Sequence, residues 1–416
     1  MNKLSAFAIA LFASTTIGTA WADQDDRKLD HVFVIMMENH GYNEIIGSPY
    51  MPFTNKEAAQ ANSAKNYFAV AHPSLTNYLE VVGGSNFGIQ NDKSPNWDST
   101  SCTSTLRGGP SNENSSDSSI CPVSGDGVDE ATPALDTTNE TSGLPGDINI
   151  DGNVTHTYPI AKTVGKTIAD QLTAAGLTWK TYQESLPLTG AYGIGTSNGF
   201  FSDNSTNLDT AEKNAGMTPG SVAALYRAKH NPFVYFANVQ NSAVNGQIPG
   251  VVSFEGPNGL WADLATGHVP AYSYVVPNQC HDQHGAGNYP PSPTETFDDV
   301  FCSNNIFDGG LRQQGDIELE ALVSAIKASP VWTRGKTAIV IVWDENDYSQ
   351  APVTNQVVLI VDRNYGHQAV QSTNYYTHFS LLKTVETALG LPCLNHACDA
   401  STALMSDLFG LGSGRY

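Results

Sequence analysis

The sequence predicts an α/β fold, a largely parallel central sheet with helices on both faces. Three observations predict it. HVFVIMM (His31 to Met37) and AIVIVW (Ala338 to Trp343) are apolar runs without alternation, as strands buried on both faces should be. Segments with helical spacing separate such runs, so strand and helix alternate. The runs also end in polar residues, and parallel strands of an α/β sheet open onto one crevice at their carboxyl ends.

The elements follow in order. MNKLSAFAIALFASTTIGTAWADQ has a charged start at Lys3, an apolar stretch and Ala20-Trp21-Ala22 as an A-x-A site. It reads as a secretory signal peptide cleaved after Ala22, which places the mature protein (residues 23–416) in the periplasm or outside the cell. HVFVIMM is the first strand and ends at Glu38. Ser74 to Gly83 reads as a helix with Asn77 in its first turn. Ser, Asn, Asp, Gly and Thr dominate residues 94–157, a loop insert of one catalytic domain. KTIADQLTAAGL is a helix, and LTWKTYQESLP, NPFVYFANV (Asn231 to Val239) and PAYSYVVPN (Pro270 to Asn278) are strands. Gly315 to Ser329 is a helix, KTAIVIVWDEND a strand ending in carboxylates, QVVLIV (Gln356 to Val361) a strand and His378 to Leu391 the last helix.

Composition narrows the function. The net charge is −21, one unit more negative without Lys3. That excludes nucleic acid, whose phosphates need clustered Lys and Arg, and disfavours anionic membrane surfaces. No segment has the length and apolarity of a stable membrane anchor. The six cysteines are even in number, which fits disulfides in an oxidising compartment. Proximity pairs Cys102 with Cys121, Cys280 with Cys302 and Cys393 with Cys398, although sequence does not fix connectivity.

Five short motifs hold the candidate chemistry. Glu38 and Asn39 follow the first buried strand, and Asp344 and Glu345 follow a later one. Like charges gathered at a sheet edge call for a cation between them. Ser74, after Pro73 and before a helix, has backbone N–H groups beside it that could stabilise a phosphoryl oxygen. Serine is equally a preferred helix cap. His72 and Asn77 flank it. Asn278, His281, Asp282 and His284 follow the PAYSYVV strand, where imidazoles beside an aspartate can ligate metal, bind phosphate or donate a proton. His378 opens the last helix.

VIMMENHGYNEIIG, HPSLTNYLEVVGG, YVVPNQCHDQH, IVIVWDEND and YTHFSLLKTVETALGLP together resemble the bacterial phosphoesterase family of acid phosphatases and phosphatidylcholine-type phospholipases C. The resemblance runs from about Asp30 to Pro392 and implies an alkaline phosphatase-like fold. It implies metal ligation by Glu38, Asn39, Asp344 and Glu345, with Asp282 as a further ligand. His281, His284 and His378 would line the phosphate pocket, with His72, Asn77 and Asn278 as substrate contacts. Ser74 stands three residues before Asn77, as the nucleophile does in related nucleotide pyrophosphatases, while larger members place theirs further along, here in the Ser/Thr-rich insert. Two-zinc relatives have Asp and His where this chain has Asn278 and Asp282, and Asp-His where it has Asp344-Glu345. More oxygen and less imidazole favours one hard cation over a zinc pair, with Ca, Mg, Mn and Zn all open.

The expected function is metal-dependent hydrolysis of small phosphate monoesters through a serine nucleophile. A phospholipase C-type diesterase is the alternative within the class, and an inactive secreted phosphate- or metal-binding protein the alternative outside it. Oligomeric state is not legible.

Overall fold

The computed structural model describes residues 28–87, 89, 92, 95, 123, 126–127, 163–186, 196–197, 200–201, 225–244, 248–285, 304–346 and 355–411. The expected signal peptide (1–22), nearly all of the expected 94–157 insert, and Cys102, Cys121 and Cys302 lie outside the described residues. Cys393 is bonded to Cys398, as proximity predicts, and Cys280 is also in a disulfide.

Eight strands form the main sheet: β1 (His31–Met37), β2 (Asn62–Phe68), β3 (Trp179–Gln183), β4 (Val251–Ser253), β5 (Tyr272–Val276), β6 (Thr337–Trp343), β7 (Leu359–Arg363) and β8 (Gln371–Thr377). Their order is β8-β2-β7-β6-β1-β5-β3-β4. β7 is antiparallel to both neighbours and every other pairing is parallel. β5 and β6 are buried throughout, and β1 after His31, because helices cover both faces at the middle of the sheet. α1 (Pro52–Gln60), α4 (Leu260–Thr266), α5 (Asn304–Ala328) and α6 (Pro330–Arg334) pack together, while α2 (Ser74–Gly83), α3 (Ile168–Ala174) and α7 (His378–Ala388) form a second set.

Topology therefore delivers the polar motifs to one edge. β1, β5, β6 and β3 run the same way, so Glu38, Asn278, Asp344 and Glu184 leave the sheet at the same end. Two reversals across β7 leave β2 and β8 in that direction also, which brings the loop before Ser74 and the start of α7 to that edge. The Glu38 N–H donates to the Asp282 carbonyl at 2.8 Å and the Asp344 N–H to the Met37 carbonyl at 2.9 Å, joining three strand ends through backbone.

One expected strand is absent. Within 231–239 the chain forms a 3₁₀ turn at Pro232–Tyr235 and a short helix at Ala237–Asn241. Pro232 fixes φ for a first helical turn and lacks an N–H for a sheet ladder. Phe233, Val234, Tyr235 and Phe236 are all buried, so the segment shows no period to read. The polar strands β2 and β8 were not foreseen. Asn62 in β2 donates to the Leu408 carbonyl and accepts the Val370 N–H, so tertiary partners satisfy it where pattern cannot. The helix expected from Gly315 begins earlier, at Asn304.

Candidate functional site

Ser74 is the meeting point. Its Oγ lies 3.2 Å from Glu38 Oε2 and 3.1 Å from Glu345 Oε1, carboxylates brought by two neighbouring central strands. All three side chains are buried. Asn77, one helical turn on, accepts from the Val70 and Ala71 N–H groups and donates to the Ala71 carbonyl and Glu345 Oε2. It therefore shapes the turn that presents Ser74, with both amide atoms engaged by the protein; substrate contact was the sequence expectation for it. His72 Nδ1 pairs with Glu345 Oε2 at 2.7 Å, so the histidine faces the carboxylate.

A second knot surrounds Glu38. His230 places Nε2 at 2.8 Å from Glu38 Oε1 and Nδ1 at 3.2 Å from Asp282 Oδ2, with its ring stacked on Tyr78. Burial works against charge on His230, but Glu38 and Asp282 outweigh it and push its pKa up to about 9. Burial alone would raise the Glu38 carboxyl; the charge and hydrogen bond of His230 instead hold it well below the usual range. Asp282 is pushed up to about 6, mainly by burial.

His284 donates Nδ1–H to the Gly285 carbonyl at 2.8 Å, which leaves Nε2 as the lone-pair atom. Burial, then Lys229, push its pKa down to about 3, so it is neutral. Glu38, His230 and His284 form a group whose ligand atoms all lie within 4.8 Å of one another. Nearby, Asp344 Oδ1 accepts the Asn39 N–H at 3.0 Å, while Oδ2 is buried without a hydrogen bond. Burial and the charges of Glu38 and Glu345 raise the Asp344 carboxyl well above its normal range. A cation would relieve this crowd of carboxylates, so the residues fit one. The donor set contains two imidazoles, which suits Zn²⁺ better than the hard cation that the oxygen-only site expected from the sequence would take.

Three of the expected pocket residues have protein partners of their own. His378 has both ring nitrogens engaged, with the Tyr67 hydroxyl at 2.8 Å and the Asp344 carbonyl at 2.6 Å. Asn278 accepts the Cys280 and His281 N–H groups and donates to Ser185, so it builds its own loop. His281 pairs with Glu184 at 2.9 Å and is one-third exposed. Burial opposes its charge, but Glu184 and then Glu318 push its pKa up to about 9. Asn39 adopts a left-handed φ of 56°, which turns the chain sharply after Glu38.

Sequence reading missed His230, Lys229, Glu184 and Asp92. Lys229-His230 stands just before Asn231-Pro232 in a chain poor in basic residues. That pair was the available signal, and reading the following residues as a strand hid it.

The sequence profile of the Phosphoesterase family matches residues 48–392. A phosphatidylinositol-3-phosphatase of Mycobacterium tuberculosis is 24% identical over 383 residues, 91% of this chain and 83% of that protein. An acid phosphatase of Aspergillus fumigatus is 24% identical over 367 residues, 87% of this chain and 55% of that one. A probable acid phosphatase of Kluyveromyces lactis is 21% identical over 393 residues, 94% of this chain and 65% of its length. The chain thus spans under two thirds of these two fungal relatives. A solved alkaline phosphatase superfamily protein from Vibrio parahaemolyticus aligns with TM-score 0.41 and 13% identity, over 88% of this chain and 67% of that one.

Proposed function

Since this chain belongs to the Phosphoesterase family and is a hydrolase acting on phosphoric ester bonds, we propose that it is an exported, metal-dependent phosphatase that cleaves phosphate monoesters through Ser74. The observation that carries the reading is the Ser74 hydroxyl held between Glu38 and Glu345. The names of the relatives, each a phosphatase, favour a monoester substrate over a diester. Export rests on the leader-like residues 1–22. Among the described residues no helix is long and apolar enough to cross a membrane.

The residues divide the work as follows. Ser74 Oγ attacks phosphorus in line with the leaving oxygen, and its proton passes to Glu345 or Glu38, both within 3.2 Å. His72 holds Glu345 in place, and Asn77 holds the turn. His281, kept protonated by Glu184, is the candidate donor to the departing alkoxide. Water then hydrolyses the phosphoserine and releases inorganic phosphate. A divalent ion on Glu38, His230 and His284 would supply Lewis acidity, favouring the serine alkoxide and the charge on the transferring group.

The test is phosphate release from p-nitrophenyl phosphate by the metal-loaded protein and by Ser74→Ala. Turnover that disappears in a folded, metal-replete mutant supports the assignment. Turnover that survives moves the nucleophile to another hydroxyl, with those of the insert next in line.

A further inference from the structure

Asp92 and Lys229 stand beside Ser74 and have no part in the chemistry above. Asp92 Oδ1 accepts the N–H of Leu75, the residue after Ser74, at 3.1 Å. Its Oδ2 receives the Lys229 ammonium at 2.9 Å. Lys229 also donates to His284 Nε2 at 3.2 Å. Its charge acts on Glu38 and Glu345, the two carboxylates that hold the Ser74 hydroxyl. The ammonium is thus tied to the N-terminal turn of α2 through Asp92 and to the Asp282 loop through His284. What makes the place an anion site is Lys229 acting together with the Leu75 N–H, across two separate segments.

The anion now in it is a side chain. A carboxylate offers two oxygens on one centre, as a phosphoryl group offers its non-bridging oxygens, and both are bound by an ammonium and a backbone N–H. We infer that Asp92 is a built-in competitor occupying the seat of the substrate's phosphoryl oxygens, with Lys229 and the Leu75 N–H as its receptor. The inference rests on Ser74 being the reacting residue and extends that reading to substrate affinity. Asp92 is 32% exposed at its side chain and Lys229 only 12%, so the carboxylate can withdraw to water while the lysine stays.

Charge then decides who displaces it. A phosphate monoester carries nearly two negative charges at neutral pH, and a diester one, equal to the aspartate. The dianion gains more from Lys229 than Asp92 does, whereas a diester gains no more. Displacing Asp92 weakens every ligand of the seat by the same factor, so Asp92 sets the affinity and Lys229 the preference for the dianion. If the carboxylate fills the seat in about nine molecules of ten, phosphate binds about tenfold more weakly than to the emptied seat.

Inorganic phosphate titrated calorimetrically into the metal-loaded full chain tests this, with circular dichroism as the fold control. Asp92→Asn keeps an acceptor for Leu75 and removes the charge; Asp92→Ser is a second route to the same end. The expected result is phosphate binding about tenfold tighter in either variant, with no such gain when Lys229→Gln is added. kcat/KM for p-nitrophenyl phosphate and for bis(p-nitrophenyl) phosphate should rise by about the same factor in Asp92→Asn, since a competitor at the seat weakens both alike. Phosphate affinity unchanged or weaker, a gain that survives Lys229→Gln, or a gain confined to one of the two esters overturns the inference. A Ser74→Ala protein that still turns over sinks the nucleophile without touching the phosphate titration, so the two failures are separable.

Discussion

His378 donates its Nε2–H to the backbone carbonyl of Asp344 at 2.6 Å while its Nδ1 accepts the Tyr67 hydroxyl at 2.8 Å. A carbonyl only accepts, so the tautomer is fixed and the ring is neutral. Burial pushes its pKa down to about 4 from an ordinary 6.5. The ring ties β2, β6 and α7 together behind the carboxylates. It has no nitrogen to offer a substrate.

His378→Phe should therefore be a stability mutation. It leaves a hydroxyl and a carbonyl buried without partners, a loss of roughly 2–4 kcal/mol, readable by denaturant titration. The pH dependence has a definite sign. A depressed folded pKa means that the unfolded chain binds the extra proton, so this contribution is full above about pH 6.5 and fades toward pH 4. If His378→Phe kept wild-type stability and instead erased a limb of the pH–rate profile, the ring would be a proton donor after all.

His281 is the opposite case. Glu184 and Glu318 overcome its partial burial and raise its pKa to about 9. It should be protonated throughout the range in which a phosphatase of this kind works. As a proton donor it loses its proton as pH rises, so kcat should fall on the alkaline side near pH 9. In Glu184→Gln that limb should move down toward the ordinary histidine range, by roughly one unit or more. The same shift makes its stability contribution full below about pH 6.5 and lost as pH rises through about 9. A pH–rate profile of the variant that overlays wild type would remove His281 from the mechanism.

The chain displays the sheet better than the site. β1, β5 and β6 are legible because a strand covered on both faces must be apolar along its length, and their ends then announce Glu38, Asp344 and the Asn278 loop. β2 and β8 are not legible, since their polar residues are satisfied by distant backbone, such as the carbonyl of Leu408 for Asn62. At the site, Ser74 with Glu38 and Glu345 could be anticipated from strand ends and helix starts. His230 was signalled only by its pairing with Lys229, and its role exists only once the chain sets it against Glu38 and Asp282. Asn77 and His378 were recognised as significant, but the hydrogen bonds that hold them could not be read. Sequence shows that a polar group sits near a site and is silent on which way its hydrogen bonds point.

His230 supplies the sharpest test of the proposed metal site. Asp282 holds its Nδ1 side and Glu38 faces Nε2, the arrangement in which a carboxylate orients a metal-binding imidazole. His230→Ala should lose Zn²⁺ during dialysis against a chelator while wild type retains it. Asp282→Asn should keep the ligand atoms and weaken Zn²⁺ binding by about 10- to 100-fold. Metal analysis by mass spectrometry reads both. Equal metal retention by His230→Ala and wild type would return the ligand set to the oxygen-only one expected from the sequence.

Asn77 tests whether the turn before Ser74 is a machine part. The amide oxygen accepts two backbone N–H groups, from Val70 and Ala71, and the amide nitrogen donates to the Ala71 carbonyl and to Glu345. Asn77→Asp preserves shape and the accepting oxygen. It replaces the donor with a second oxygen facing Glu345 Oε2, now 3.3 Å from the nitrogen, and facing a carbonyl. Like groups buried at that distance repel, so either the aspartate takes up a proton or Glu345 swings away from Ser74. The first outcome restores a donor and predicts partial rescue at low pH; the second predicts none. Either way kcat should drop by about 10²-fold or more near neutral pH, since misplacing a nucleophile by about 1 Å costs that much. KM should change little, because no atom of Asn77 is placed to touch the ester. A large KM effect with kcat intact would show that Asn77 contacts the substrate, as the sequence first led us to expect.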